Sequence, residues 1–413
     1  MVGLVDGNNF FVSCERVFNR RLVGRPVAVL SNNDGCCVAR SNELKALGVK
    51  MGTPYFELKH REAAGELVCL SSNYELYGDM SRRMISILRD NAQDVEQYSI
   101  DEAFIRPQKC ENLEQWGTTL RSKILDWIGI PCGIGFAPTK TLAKIANHIA
   151  KKREIGVFLL PEKPGEILAG LPVNEVWGVG RRLVEKLRSE RIFTAAALRD
   201  AHDDVLRRIG GVTLLRTAQE LRGIPSDENR DYDADPASIT CSRSFGTPVA
   251  DLDGIVESLS SFVSQAAEKL RRYSMLAGGC NIYAQIFRSG GGGEIFERTV
   301  AFPSPTDATN EMIEAMLPAA KQLFMPGARY RKTGVMFFGL EKVGRARQLD
   351  LFKPNHDAKP SPLYAAVDHL NARFGKRTVF SAAEGIGPKS WHVKRDKISP
   401  HFTTSWNEIP VVV

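Results

Sequence analysis

The chain has no apolar stretch of the about 18 residues that a membrane-spanning helix needs, so no membrane span is expected. Nor does it open as a secretory leader does: Met1-Val-Gly-Leu-Val-Asp6 has no basic start ahead of a hydrophobic run. These two absences point to the cytoplasm. Eight cysteines are present without a single C-x-x-C pair, and Cys36 and Cys37 are adjacent. That spacing argues against a zinc site, and a chain this long needs no disulfide scaffold, so reduced thiols are expected. Charge of one sign does not dominate either. A net +7 is compatible with a polyanionic partner without demanding one. What remains is an ordinary globular composition over 413 residues, too many for one compact core, so several domains are expected.

The first residues, VGLVDGNNFFVSCE, read as a buried strand ending at Asp6 and a following helix that Asn8 or Asn9 caps. PVAVL (26–30) reads as a strand, SNNDG (31–35) as a turn, and ARSNELKALGVKMG as a short helix closed by Gly48. In YELYGDMSRRMISILRD, Met80, Met84, Ile87 and Leu88 form a buried stripe at helical spacing. VEQYSIDEAFI and IPCGIGFA read as strands around the helical LEQWGTTLRSKILDWI, and TKTLAKIANHIAKK as a helix capped by Thr139. This alternation suits a ferredoxin-like βαββαβ sheet. A helical segment follows from about Leu168, then the acidic, proline-bearing DENRDYDADPAS (227–238), read as an interdomain linker. SITCSRSF, CNIYAQIFRS, FERTVAF and RKTGVMFFGLEKV read as strands of a further domain, with a glycine loop at 290–293. From about Gly344 the chain turns polar, as in a tail that folds weakly or on a partner.

Three acids stand out: Asp6 at a strand end, and Asp101 with Glu102 in YSIDEAF (98–104). Carboxylate oxygens suit hard divalent cations, and ions placed between crowded carboxylates relieve their repulsion. Neighbouring side chains of a straight strand point to opposite faces, so Asp101 and Glu102 require a hairpin bend or bulge to share one site. The alternative is that Asp6 caps a helix and the other two are exposed turn residues. Lys45, Lys144 and Lys151 lie on predicted helices that could border the same sheet edge, where ammonium groups would neutralise a triphosphate; each alone could equally be a solvated helix face.

DGNNFFVSCE, SNNDGCCVARSNELKALGVKMG, SSNYELYGDMSRRM, YSIDEAF, GIGFAPTKTLAKIANHIAKK and VWGVGRR, in this order, resemble Y-family translesion DNA polymerases, most closely the UmuC-type catalytic subunits of DNA polymerase V. The resemblance covers nearly the whole chain. It implies an α+β right-hand polymerase with a ferredoxin-like palm (1–24 and 73–166), small fingers (25–72) and a helix-hairpin-helix thumb (167–230). A linker (231–237), an α/β little finger (238–344) and a C-terminal tail (345–413) complete it. By the same resemblance Asp6, Asp101 and Glu102, with the Gly7 carbonyl, hold two Mg²⁺ ions, and Lys45 and Lys151 contact the nucleotide. Phe11 is the ring that excludes a 2′-hydroxyl. Gly178 and Gly180 of VWGVGRR admit a DNA phosphate beside Arg181 and Arg182, and Arg243, Arg271, Arg272, Arg288 and Arg298 suit a sheet lying along the DNA backbone.

RQLDLF (347–352) resembles a peptide that docks on the β sliding clamp, with Gln348 polar and Leu349, Leu351 and Phe352 apolar. The resemblance further implies primer-template DNA and dNTPs as substrates. A processed UmuD-like accessory dimer and a recombinase (RecA) filament are its implied partners, with nucleoid association and an SOS role. Two other classes compete. A non-catalytic DNA-binding scaffold would be free to lose the three acids, and a cyclase on a similar palm would need neither the thumb hairpin nor the clamp peptide.

Overall fold

The structure, a computed structural model, describes residues 1–109, 111–226, 235–286, 293–344, 362–387, 389 and 391–409. In chain order the first part runs β1 (Val2–Gly7), α1 (Phe10–Phe18), β2 (Val27–Leu30), β3 (Cys37–Arg40), α2 (Asn42–Ala46), α3 (Tyr55–Ala63) and β4 (Val68–Ser71). Then come α4 (Tyr74–Asn91), β5 (Asp94–Gln97), β6 (Glu102–Arg106), α5 (Leu113–Ile128), β7 (Cys132–Ala137), α6 (Lys140–Ala150) and β8 (Val157–Leu159). Short helices α7 (Gly165–Gly170), α8 (Arg181–Ser189) and α9 (Ala195–Asp200) lead to α10 (Asp203–Leu221), which breaks at Gly211 (φ 68°). The remainder is β9 (Ile239–Val249), α11 (Leu252–Arg272), β10 (Met275–Ile286), β11 (Ile295–Thr306), α12 (Thr309–Leu323), β12 (Tyr330–Lys342) and α13 (Pro362–Phe374). The chain forms two compact units, Met1–Asn229 with Asp396–Val413, and Arg230–Arg395.

The first unit's main sheet has the order β5-β6-β1-β7-β8, antiparallel except for the β7–β8 pair. Its β1, β5, β6 and β7 keep the ferredoxin-like order, and β8 extends that edge. Period-2 alternation separates two cores. Leu4 and Phe104 face Leu142, Ala143 and Ala146 of α6. Val5, Ala103, Ile105, Ile134 and Phe136 face Phe10 of α1, Met84 of α4 and Ile124 of α5. The α4 stripe is buried as its spacing predicts, Met84 and Leu88 completely, at about 1.5–3 kcal/mol for each such side chain. Asn73 caps α4 by accepting from the Leu76 amide, and Thr139 caps α6 by accepting from that of Leu142.

Glycine decides how α6 lies. The sequence Cys132-Gly-Ile-Gly-Phe-Ala137 presents Ile134 and Phe136 to one core and the two glycines to α6. A Cβ on Gly135 would stand 2.1 Å from the Asn147 amide nitrogen and 2.5 Å from the Ala146 carbonyl carbon, so only glycine admits the helix backbone this close. Buried Asn147 then donates from Nδ2 to the carbonyls of Leu4 (3.1 Å) and Gly133 (2.7 Å), pinning α6 to β1 and β7.

A smaller sheet, β3-β2-β4, joins β2 and β4 in parallel. The second unit is a sheet of order β11-β10-β12-β9 covered on one face by α11 and α12.

Three expectations need correction. VEQYSIDEAFI is not one strand but the hairpin β5–β6, with residues 98–101 as its turn. The tail does not fold weakly where it is described. In the second unit Asp368 of α13 takes two bonds from Arg271 (2.7 and 2.8 Å), and Trp391 is buried against Phe262. Residues 396–409 belong to the first unit. Arg271, so engaged, is a packing residue, and both it and Arg272, which pairs with Glu268, lie on α11 rather than on a DNA-facing sheet. Most of the acidic linker, Arg288 and the Gln348–Phe352 peptide lie outside the described residues.

Candidate active site

Asp6, the last residue but one of β1, lies directly opposite Glu102, the first residue of β6. Both share the parity of Leu4 and Phe104 and so face α6. Asp101 precedes them in the hairpin turn, which supplies the bend that the sequence requires. Ser99 builds that turn: its Oγ accepts from the amides of Asp101 (3.2 Å) and Glu102 (3.1 Å) and donates to Asp101 Oδ1 (2.6 Å). The Gly7 amide donates to the Asp101 carbonyl (2.9 Å), tying the turn to the end of β1.

From α6, three lysines meet three adjacent strands. Lys140 pairs with Glu96 on β5, Lys144 with Glu102 on β6 at 2.7 Å, and Lys151, just past the helix end, with Asp6 on β1 at 2.6 Å. Lys144 also lies over the rings of Tyr98 (4.6 Å) and Trp177 (5.1 Å). Among the described residues no three His, Cys, Asp or Glu side chains converge closely enough to hold one ion together. The acids engage lysine and serine instead.

Burial pushes the Asp6 carboxyl up to about 6; Lys151 pulls it down, and the charges of Glu102 and Asp101 push it further up. The folded chain therefore holds this proton more tightly than the unfolded one, whose carboxyl titrates near 3.8. The contribution of Asp6 to stability is highest below that lower value and declines as pH rises toward 6. Removing the cation in Lys151→Met is expected to raise the Asp6 pKa further; ¹³C NMR titration of the aspartate carboxyls checks this, and an unmoved or lowered value refutes it.

On the neighbouring sheet and helix, Lys45 Nζ donates to Asn9 Oδ1 (2.6 Å), and Asn9 Nδ2 to Asn42 Oδ1 (3.0 Å). Asn9 sits at φ 47°, a left-handed conformation that asparagine tolerates, where β1 turns into α1. Partial burial and the charges of Arg40 and Lys151 lower the pKa of Lys45. Asp6 acts the other way, so Lys45 lies within electrostatic reach of Arg40, Lys151 and Asp6. Arg40, whose Nη1 donates to the Val49 carbonyl (2.7 Å), is the one that sequence reasoning missed; its only signal is its place at the end of a short strand, β3. Phe11 stacks on Tyr77, with centroids 4.4 Å apart and planes at 12°.

Three family models match in chain order. The impB/mucB/samB family covers residues 5–148, its C-terminal domain 236–351, and a domain of unknown function, DUF4113, 361–412. The chain is 39% identical to Protein UmuC of Salmonella typhimurium, across 99% of each sequence. It aligns at a TM-score of 0.64 with a Y-family DNA polymerase chimera, Dbh-Dpo4(243-245)-Dbh, at 22% identity over 83% of this chain and 99% of that one. The chain belongs to the Y family of DNA polymerases. DNA polymerase IV 1 of Bacillus subtilis is a more distant relative, 29% identical over 92% of both chains.

In this Y-family member the WGVG turn has Val179 buried and Gly178 and Gly180 exposed, with Gly178 at φ 85°. Gly180 is the N-cap of α8, and Arg181 and Arg182 begin that helix, both exposed. In the second unit Arg243 is exposed on β9. It pairs with buried Thr333 and keeps the parity of Ile239 and Cys241, which face the helices, rather than pointing from the open side of the sheet. Among the described residues no helix is long and apolar enough to cross a membrane.

Proposed function

We propose that this polymerase is the catalytic subunit of an error-prone enzyme for synthesis past damaged template bases in the SOS response, working by two-metal nucleotidyl transfer. The observation that carries the reading is the meeting of Asp6 and Glu102 on facing strands, with Asp101 in the turn beside them, Lys151 and Lys144 paired with the two strand acids, and Lys45 within electrostatic reach of Asp6. The donor set fits Mg²⁺, since it is oxygen only, and the two lysines that now engage Asp6 and Glu102 are long enough to turn away toward phosphate. Asp6, Asp101 and Glu102, with the Gly7 carbonyl, would hold the metal, whose chemistry is to acidify the primer 3′-hydroxyl and neutralise the triphosphate.

The chain's own residues do the rest. Lys45, Lys151 and Arg40 bind and orient the triphosphate as fixed positive charge. Phe11 excludes a ribose hydroxyl. The 178–182 turn holds a backbone phosphate without reading sequence, and Arg243 adds charge from the second unit. The palm, fingers, thumb and little-finger boundaries read from sequence are retained as part of this proposal. So are the clamp-docking peptide at 348–352, the UmuD-like and recombinase partners, and nucleoid association.

The test is primer extension on undamaged and abasic templates with Mg²⁺ and four dNTPs, supplying clamp, accessory dimer and recombinase filament. Extension past the abasic site is expected. DNA binding with no extension on either template would overturn the reading in favour of a scaffold.

A further inference from the structure

The end of the chain, which the domain of unknown function matches at 361–412, packs behind the Tyr77 ring on which Phe11 stacks. Residues 396–402 lie along the open edge of β4. The Ser71 amide donates to the Lys397 carbonyl (3.0 Å), the Lys397 amide donates to Ser71 Oγ (3.0 Å), and Ile398 makes a parallel bridge with Ser71. Lys397 Nζ reaches Glu62 at 2.9 Å, and Phe402 stacks on Phe18 at 4.9 Å with planes at 6°. Asn73, already the cap of α4, spends its other end on this segment: Nδ2 donates to the carbonyls of Ser399 (3.2 Å) and Pro400 (3.2 Å) and to Ser399 Oγ (3.0 Å).

Ser399 then reaches the interior. Its Oγ donates to Oε1 of Glu15 at 3.1 Å, and the same oxygen accepts from the Tyr77 hydroxyl at 2.7 Å. Glu15 is 1% exposed, and among the described residues no Lys or Arg pairs with it. A buried carboxylate without a cation depends on its hydrogen bonds, so neither hydroxyl is dispensable. Tyr77 is fully buried, and its ring is the one on which Phe11 stacks. Glu15 also stands four residues after Phe11 on α1, on the same helix face. The segment thus grips Tyr77 twice: at its hydroxyl through Glu15, and through the α4 N-terminus, one turn before it, by Asn73.

We infer that residues 396–402 are an intramolecular strap that sets the sugar gate, with Ser399, Glu15, Asn73 and Tyr77 as positioning residues for Phe11. The inference rests on the proposed role of Phe11. Without the strap, Glu15 keeps one donor, Asn73 Nδ2 loses three acceptors, and the Tyr77 ring is no longer fixed behind Phe11. Ribonucleotide exclusion suffers first, because a displaced ring still admits a deoxynucleotide.

The experiment measures kcat/KM for dNTP and for the matching rNTP on the full chain, as Ser399→Ala, Ser399→Thr, Tyr77→Phe and Phe11→Leu, with each variant's Tm. Ser399→Ala and Tyr77→Phe are expected to lower the dNTP/rNTP ratio about five- to tenfold, as loss of one hydrogen bond to a buried carboxyl group allows, while dNTP use changes less than about twofold. Ser399→Thr, which keeps the hydroxyl, restores the ratio. An unchanged ratio in Ser399→Ala and Tyr77→Phe, beside a collapsed one in Phe11→Leu, overturns the strap and leaves the gate standing. An unchanged ratio in Phe11→Leu overturns the gate itself, and the strap's purpose with it. A fall in dNTP and rNTP use by the same factor, with a lowered Tm, refutes positioning in favour of mere packing.

Discussion

Primer extension by Asp101→Asn is expected to fall at least about a hundredfold, since metal-assisted charge stabilisation is worth several kcal/mol and each 1.4 kcal/mol is tenfold. The substitution isolates charge from shape. Asn keeps Oδ1 as the acceptor for Ser99 Oγ, and the bonds to Ser99 Oγ and the Gly7 amide use only the backbone amide and carbonyl of residue 101. The turn is therefore preserved, Tm stays within about 1 °C, and what disappears is one negative charge beside Asp6 and Glu102. Ser99→Ala makes the complementary change: it keeps the charge and releases the turn, for an expected loss nearer tenfold, as for imperfect positioning. Single-nucleotide insertion across a Mg²⁺ titration checks both. Wild-type rates in Asp101→Asn would remove this residue from the chemistry.

Gly135→Val is expected to unfold the first unit far more readily, lowering its stability by at least about 3 kcal/mol through overpacking and lost buried hydrogen bonds. The branched side chain would meet the backbone of α6 at Asn147, Ala146 and Ala143, none of which is a side chain able to turn aside. Moving the helix away breaks both Asn147 bonds, to Leu4 and Gly133, and pulls Lys144 and Lys151 from Glu102 and Asp6. A fall in Tm of roughly 6 °C or more follows for a unit of this size. Gly78→Ala is the control with the opposite sign. It sits in α4, where an added Cβ meets only Arg82 Nη1 at 3.8 Å, so relief of backbone entropy is expected to stabilise by about 0.5–1 kcal/mol. Thermal melts of the two variants, followed by circular dichroism, should move in opposite directions. Equal shifts would refute the close approach of α6 to β7.

Much of the first unit is legible in its sequence because its signals are local. The helix LEQWGTTLRSKILDWI spans Leu113–Ile128 as read, and the Met80, Met84, Ile87 and Leu88 stripe is buried. Adjacent Asp101 and Glu102 required a bend, and a turn is there. The polar tail misled because hydropathy counts residues and not partners: Trp391 and Ser399 are ordinary letters in a polar stretch until the surfaces that receive them exist.

The sequence by itself thus determined the helices and alternating strands, which rest on local periodicity, and the family, which rests on motifs in a fixed order along the chain. The tertiary structure alone decided that Lys140, Lys144 and Lys151 answer to β5, β6 and β1, that Arg40 lies within electrostatic reach of Lys45, and that Gly135 is where a helix touches a strand. It alone decided that Ser399 meets Glu15 across 384 residues of chain. Contacts of that separation leave no local pattern, because the energy that selects them comes from burial and pairing after the chain has folded, and the intervening residues carry no trace of it.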